Sequence, residues 1–205
     1  MQTMRQVLSN LTFANQLTFL RLVAVPFFAI ALLNNHHTVA LAIFAGAAVT
    51  DVLDGLIARI LKQKTALGAL LDPAADKLLL TTAVIILTLP NHPKVAPMFS
   101  LMNHLPLWLT VLTISRDLII VLIAVILYLA YGISKFPPSI LGKLTTCSLM
   151  ALASLVLLYN AWEVISTRVV PGAIWATLIL TLASGLHYFY RTAAVIRRVE
   201  PPKAA

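Results

Sequence analysis

Acid is scarce in this chain of 205 residues: seven aspartates and glutamates stand against fifteen lysines and arginines, a formal charge of +8. The excess of base forms no run. It is scattered at the ends of apolar stretches, so lipid headgroups are the expected partner and nucleic acid is not. Cysteine is almost absent, and the lone Cys147 excludes a disulfide framework or a cysteine-based metal centre. No internal repeat is visible, and no polar interruption is long enough for a second domain, so residues 1–205 read as one domain. The first apolar run is too long for a cleaved leader, and no small-residue cleavage site follows it.

What is abundant is hydrocarbon. Hydrophobic residues make up 60% of the chain and the mean hydropathy is +0.93, values of a polytopic membrane protein rather than a soluble domain. Residues 17–33, 39–60, 73–89, 105–131, 141–159 and 170–195 are each long enough to cross ~30 Å of hydrocarbon at ~1.5 Å per residue. The expected fold is therefore an all-α integral membrane protein with six transmembrane helices. Residues 2–13 interleave Gln2, Arg5, Gln6 and Asn10 with Met4, Val7, Leu8 and Leu11. That spacing suits a short amphipathic helix on the membrane surface, with an unstructured tail as the alternative.

The basic residues orient the spans. Arg5, Arg59, Lys62, Lys64, Lys77, Lys135, Lys143, Arg191, Arg197, Arg198 and Lys203 fall on one side, and only Lys94 and Arg168 on the other. The positive-inside rule makes the first side cytoplasmic, with both termini there.

Four of the seven acids, Asp51, Asp54, Asp72 and Asp76, lie within the second and third apolar runs and their junction. One aspartate at the centre of a membrane helix costs about 2.5–3.5 kcal/mol, so a cluster needs something to offset its repulsion. Hard oxygen ligands suit Mg²⁺, Mn²⁺ or Ca²⁺. Asp51 and Asp54 are three residues apart, Asp72 and Asp76 four apart, so each pair shares a helical face. Asp72 precedes Pro73 and is expected to cap a helix that starts there. Gly55 and Gly68 allow close approach of a ligand or backbone, and Arg59 is placed to pair with a carboxylate or hold a phosphate. A transporter is the rival reading, since intramembrane acids also mark ion paths. Such sites lie near the midplane of repeated, broken helices, whereas these acids cluster toward one side of a chain without repeats.

The run Asp51-Val52-Leu53-Asp54-Gly55-Leu56-Ile57-Ala58-Arg59, then Gly68, Asp72 and Asp76 after fixed intervals, resembles the signature of the CDP-alcohol phosphatidyltransferases at all eight of its positions. Asn15, Leu17, Thr18, Arg21 and Pro26 resemble the family's N-terminal pattern, and six spans fit its fold. The resemblance implies transfer of a phosphatidyl-type group from a CDP-linked lipid such as CDP-diacylglycerol to an alcohol, with release of CMP. It implies Mg²⁺ or Mn²⁺, as two ions, held by Asp51, Asp54, Asp72 and Asp76, with Asp76 also the general base. Gly55, Ala58, Arg59 and Gly68 would form the site for the CDP-lipid. A homodimer in a bacterial inner membrane, active on the cytoplasmic side, completes the expectation.

The resemblance also implies a glycerol-containing alcohol as acceptor, with Arg116 and Lys143 expected to bind it. Phosphatidylglycerophosphate synthases carry Arg-Glu where this chain has Arg116-Asp117, and a second Arg where it has Ala124. The departures resemble the mitochondrial-type cardiolipin synthases, so phosphatidylglycerol is the favoured acceptor and glycerol 3-phosphate the alternative. Arg116 and Asp117 also read as a structural ion pair.

Overall fold

The computed structural model describes residues 13–60, 66–89, 104–132, 139–162 and 169–199, with side chains at 16–51, 74–89, 104–130, 132, 139–162 and 169–195. Six helices run through these segments: α1 Phe13–Leu33, α2 His37–Ile60, α3 Ala66–Thr88, α4 Leu107–Tyr131, α5 Ile140–Trp162 and α6 Val169–Val199. No strand occurs among the described residues. Among the described side chains, four helices contain stretches long and apolar enough to cross a membrane: Gln16–Leu33, Leu107–Ala130, Ile140–Trp162 and Val169–Val195. The side chains described in α2 form a further apolar stretch, His37–Asp51. The surface agrees with a lipid setting, since Phe19, Leu129, Leu186 and Phe189 all point outward. The surface helix expected at residues 2–13 lies almost entirely outside the described residues.

One boundary corrects the sequence reading. The third helix begins at Ala66, not at Pro73, so Asp72 lies inside a helix and is not its N-cap. The segment Ala66 to Leu71 is made mostly of alanine and leucine, the best helix formers. It propagates a helix through the proline that the capping argument had treated as a start.

The helices form two compact units. The first contains α1, α2, α3 and the part of α5 from Ala153 onward; the second contains α4, α5 up to Leu152, and α6. In the first unit α1 packs against both α2 and α3. The buried face of α1 is Thr18, Arg21, Phe28 and Leu32; that of α2 is Ala40, Phe44 and Ala47, and that of α3 includes Leu80, Ala83 and Leu87. These intervals of three, four and seven keep one stripe inward. Continued by one turn, the α2 stripe reaches Asp51 and the α3 stripe reaches Asp76, so both acids stand at the ends of packed apolar faces. Phe28 and Phe44 lock the middle, with ring centroids 5.7 Å apart and planes tilted by 40°.

The second unit is held partly by hydroxyls. Thr113, Thr145, Thr177, Thr181 and Thr192 are buried, and each donates to the carbonyl one turn earlier, at 2.7–3.0 Å. That bond satisfies a polar group where no water reaches. Ser148 and Thr177 meet across α5 and α6 at 2.8 Å, and Trp108 of α4 lies against Trp175 of α6, centroids 6.2 Å apart.

The turn between α1 and α2 is a Schellman motif. Asn35 takes a positive φ of 60°, while the His36 and Asn35 amides donate to Ala31 O at 2.9 Å and Leu32 O at 3.1 Å. A β-branched residue resists that backbone by about 1–2 kcal/mol. Asn35→Val is expected to lower the melting temperature of the detergent-solubilised protein and Asn35→Gly to leave it unchanged or raise it; thermal unfolding of the three proteins checks this.

Candidate active site

The first unit gathers a charge cluster around one side chain of α1. Arg21 is the only charged residue of that helix, and its side chain is 1% exposed. Its Nη1 donates to Asp76 Oδ1 on α3 at 2.6 Å and lies 3.1 Å from Asp51 Oδ1 on α2. Three helices therefore converge on one nitrogen. The acids are not buried with it: the Asp51 side chain is 39% exposed and the Asp76 side chain 36%. The guanidinium approaches from inside, and the other faces of both carboxylates stay open.

A buried arginine is tolerated only when paired, and here the pairing brings together two of the four expected aspartates. Arg21 was legible in the sequence only as part of an N-terminal pattern, and nothing local says what it touches. Asp54 is one turn beyond Asp51 on α2, and Asp72 one turn before Asp76 on α3. The side chains of Asp54, Gly55, Ala58, Arg59, Gly68 and Asp72 lie outside the described residues. Among the described residues no three histidine, cysteine or acidic side chains gather. The two carboxylates that are described fit a hard divalent cation: their Oδ1 atoms already converge on one positive nitrogen, and each has open surface from which an ion can be bound.

The second unit holds the other expected group. On α4, Arg116 Nη1 donates to Asp117 Oδ1 at 2.7 Å, and Nη2 donates to Ser184 Oγ on α6. The ion pair anticipated as one reading of Arg116 and Asp117 is thus present. Arg116 Nε is buried and has no hydrogen-bond partner among the described residues. Gly142 of α5 makes room for this guanidinium, since a Cβ there would stand 3.2 Å from Arg116 Nη2 and 3.1 Å from Ser139 Oγ. Ser139 caps α5, accepting the Gly142 amide at 3.0 Å. Lys143, the second expected acceptor residue, is exposed in the first turn of α5. Local spacing could not have signalled Ser184, whose bond to Arg116 spans 68 residues.

Beside Arg116 opens a cavity of about 270 Å³ between α4 and α6, walled by Ile119, Ile120, Ile123, Gly185, Leu186, Tyr188 and Phe189. Apart from the cation and the tyrosine its walls are hydrocarbon. Ala124, where a second arginine was considered, is not part of the wall.

The profile described as CDP-alcohol phosphatidyltransferase matches residues 11–184. A Mycobacterium tuberculosis protein named "Probable phosphatidylglycerophosphate synthase" is 37% identical over 184 residues, covering 87% of this chain and 80% of that protein. A Bacillus subtilis protein named CDP-diacylglycerol--glycerol-3-phosphate 3-phosphatidyltransferase is 30% identical over 191 residues, 85% of this chain and 92% of that one. A Rattus norvegicus protein named Cardiolipin synthase (CMP-forming) is 36% identical over 137 residues, 66% of this chain and 41% of that one.

The glycine that admits Arg116 can be tested directly. Gly142→Ala is expected to lower the melting temperature, because its Cβ presses on Ser139 and on the guanidinium. Gly185→Ala, whose Cβ would meet Arg116 Cγ at an ordinary 3.9 Å, is expected to leave it within about 1 °C of the parent, in keeping with a substitution costing no more than ~0.5 kcal/mol.

Proposed function

The chain belongs to the CDP-alcohol phosphatidyltransferase family, and on that footing we propose that it transfers a phosphatidyl group from CDP-diacylglycerol to phosphatidylglycerol, releasing CMP and forming cardiolipin. Asp51, Asp54, Asp72 and Asp76 hold Mg²⁺ or Mn²⁺, as one or two ions. When bound, the divalent cation supplies positive charge to the phosphoryl oxygens. The acceptor hydroxyl oxygen forms a bond to the phosphorus that carries diacylglycerol. The bond from that phosphorus to the oxygen shared with CMP breaks, and Asp76 takes the hydroxyl proton. Gly55, Ala58, Arg59 and Gly68 accommodate the cytidine nucleotide, with Arg59 near its phosphates. This much rests on the motif, and the convergence of Asp51 and Asp76 on one cationic nitrogen supports it.

One observation carries the choice of acceptor: the cavity beside Arg116 pairs a cation at its edge with walls of isoleucine, leucine and phenylalanine. An anionic headgroup joined to an acyl chain matches both parts, the positive charge of Arg116 attracting phosphate and the hydrocarbon walls taking the chain. Glycerol 3-phosphate has no apolar part to place there. A second reading, with glycerol 3-phosphate as acceptor, is favoured by the names of the Mycobacterium and Bacillus relatives. In either reading the protein crosses the membrane six times with its termini and aspartates on the cytoplasmic side, as the lysine and arginine distribution supports. Lys143 adds a cation for the acceptor phosphate, and the working form is a homodimer.

Purified protein given CDP-diacylglycerol and Mn²⁺ is expected to make cardiolipin when offered phosphatidylglycerol. Efficient synthesis of phosphatidylglycerophosphate with phosphatidylglycerol ignored would replace the first reading with the second. A transport signal without lipid turnover would sink both.

Asp72→Asn and Asp76→Asn should each lower CMP release by ~10²-fold or more, the scale of a lost proton-transfer or ligand group, while the protein remains folded in detergent. Excess EDTA should silence the wild type, and Mg²⁺ or Mn²⁺ should restore it.

A further inference from the structure

The aspartates of the first unit carry a cation of their own. Arg21 Nη1 reaches Asp76 Oδ1 at 2.6 Å and Asp51 Oδ1 at 3.1 Å. The arginine side chain is 1% exposed, against 39% and 36% for the acids. The guanidinium thus holds the pair from the packed interior, on the face of α1 that also buries Thr18 and Phe28. One positive charge beside two carboxylates leaves the pair net negative and open on its other side.

We infer that Arg21 is a positioning residue: a fixed internal counter-cation that holds Asp51 and Asp76 together and sets how strongly they draw a divalent ion. This rests on the reading that these aspartates bind Mg²⁺ or Mn²⁺. Two effects of opposite sign follow. Without Arg21, two like charges face each other and the ion-free protein loosens. At the same time a positive charge near the ion is gone, so the ion is attracted more strongly. A residue that only fills space would lower stability equally with and without ion, and would weaken ion binding if it changed it at all.

The test needs no substrate. Thermal unfolding of the full chain in detergent is followed in EDTA and across a Mn²⁺ titration, for wild type, Arg21→Met and Arg21→Lys. In EDTA, Arg21→Met is expected to melt at least ~4 °C below wild type, as loss of a buried charge partner predicts. Mn²⁺ should narrow that gap, with a half-saturating concentration lower on the order of tenfold. Arg21→Lys, whose single ammonium replaces the one nitrogen that touches both acids, should titrate like wild type.

Should Arg21→Met prove too unstable to purify, the reciprocal pair decides. Asp51→Asn with Asp76→Asn strands a buried guanidinium, and adding Arg21→Met to it should raise the melting temperature. A wild type stabilised by Mn²⁺, with Arg21→Met showing an equal or smaller Mn²⁺ response, overturns the counter-cation role alone. So does a triple variant no more stable than the double. No Mn²⁺ response in wild type overturns the metal reading and this inference together.

Discussion

A single guanidinium sets the terms for the first unit. Arg21 is carried into the interior by an otherwise uncharged helix, and leaving it there alone would cost about 3–5 kcal/mol. Asp51 and Asp76 pair with it, one on each of the two helices that pack against α1. The requirement to pair therefore ties the axial positions of three helices to one point. The apolar stripes below it, from Phe28 against Phe44 to Leu80, Ala83 and Leu87, supply contact area but little register, because hydrocarbon surfaces can slide. Charge fixes what packing leaves free.

The second unit solves the same problem with weaker, more numerous contacts. In hydrocarbon the hydrophobic effect does not drive helices together, so close packing and hydrogen bonds carry the association. Threonines return their protons to their own helix, as Thr181 does to Thr177 O at 2.7 Å. Two bonds cross between α5 and α6: Thr145 to Leu180 O at 3.1 Å and Ser148 with Thr177. Arg116 is drawn into this set by its bonds to Asp117 and Ser184 and by the space that Gly142 leaves. A cation so confined presents a fixed donor array rather than a mobile arm, and that is what recognition of a phosphate needs.

Both arginines illustrate how a membrane protein uses cations in its interior. Arg21 faces acids that remain partly open, so its charge is shared with whatever else those acids bind. Arg116 faces a neighbouring carboxylate and a hydroxyl, and the adjoining cavity is apolar. The first arrangement organises an anionic site; the second provides a cationic edge to a lipid-like space.

Much of this was legible in the sequence. Apolar run lengths placed five of the six helices closely, because a membrane span needs hydrocarbon along its whole length and local composition reports that directly. The aspartate motif resembled the family's signature residue for residue, and its intervals of three and four put each pair on one helical face whatever packs against it. The start of α3 was misplaced because Pro73 is only a local preference, and the alanines and leucines before it prefer helix more strongly. Arg21 against Asp76, 55 residues apart, and Arg116 against Ser184, 68 apart, lay beyond periodicity. A repeat of 3.6 residues states which face a side chain occupies but not which helix meets that face, nor at what height. Those choices belong to the tertiary structure, because the cost of an unpaired buried charge is settled only when the helices that carry its partners are in place.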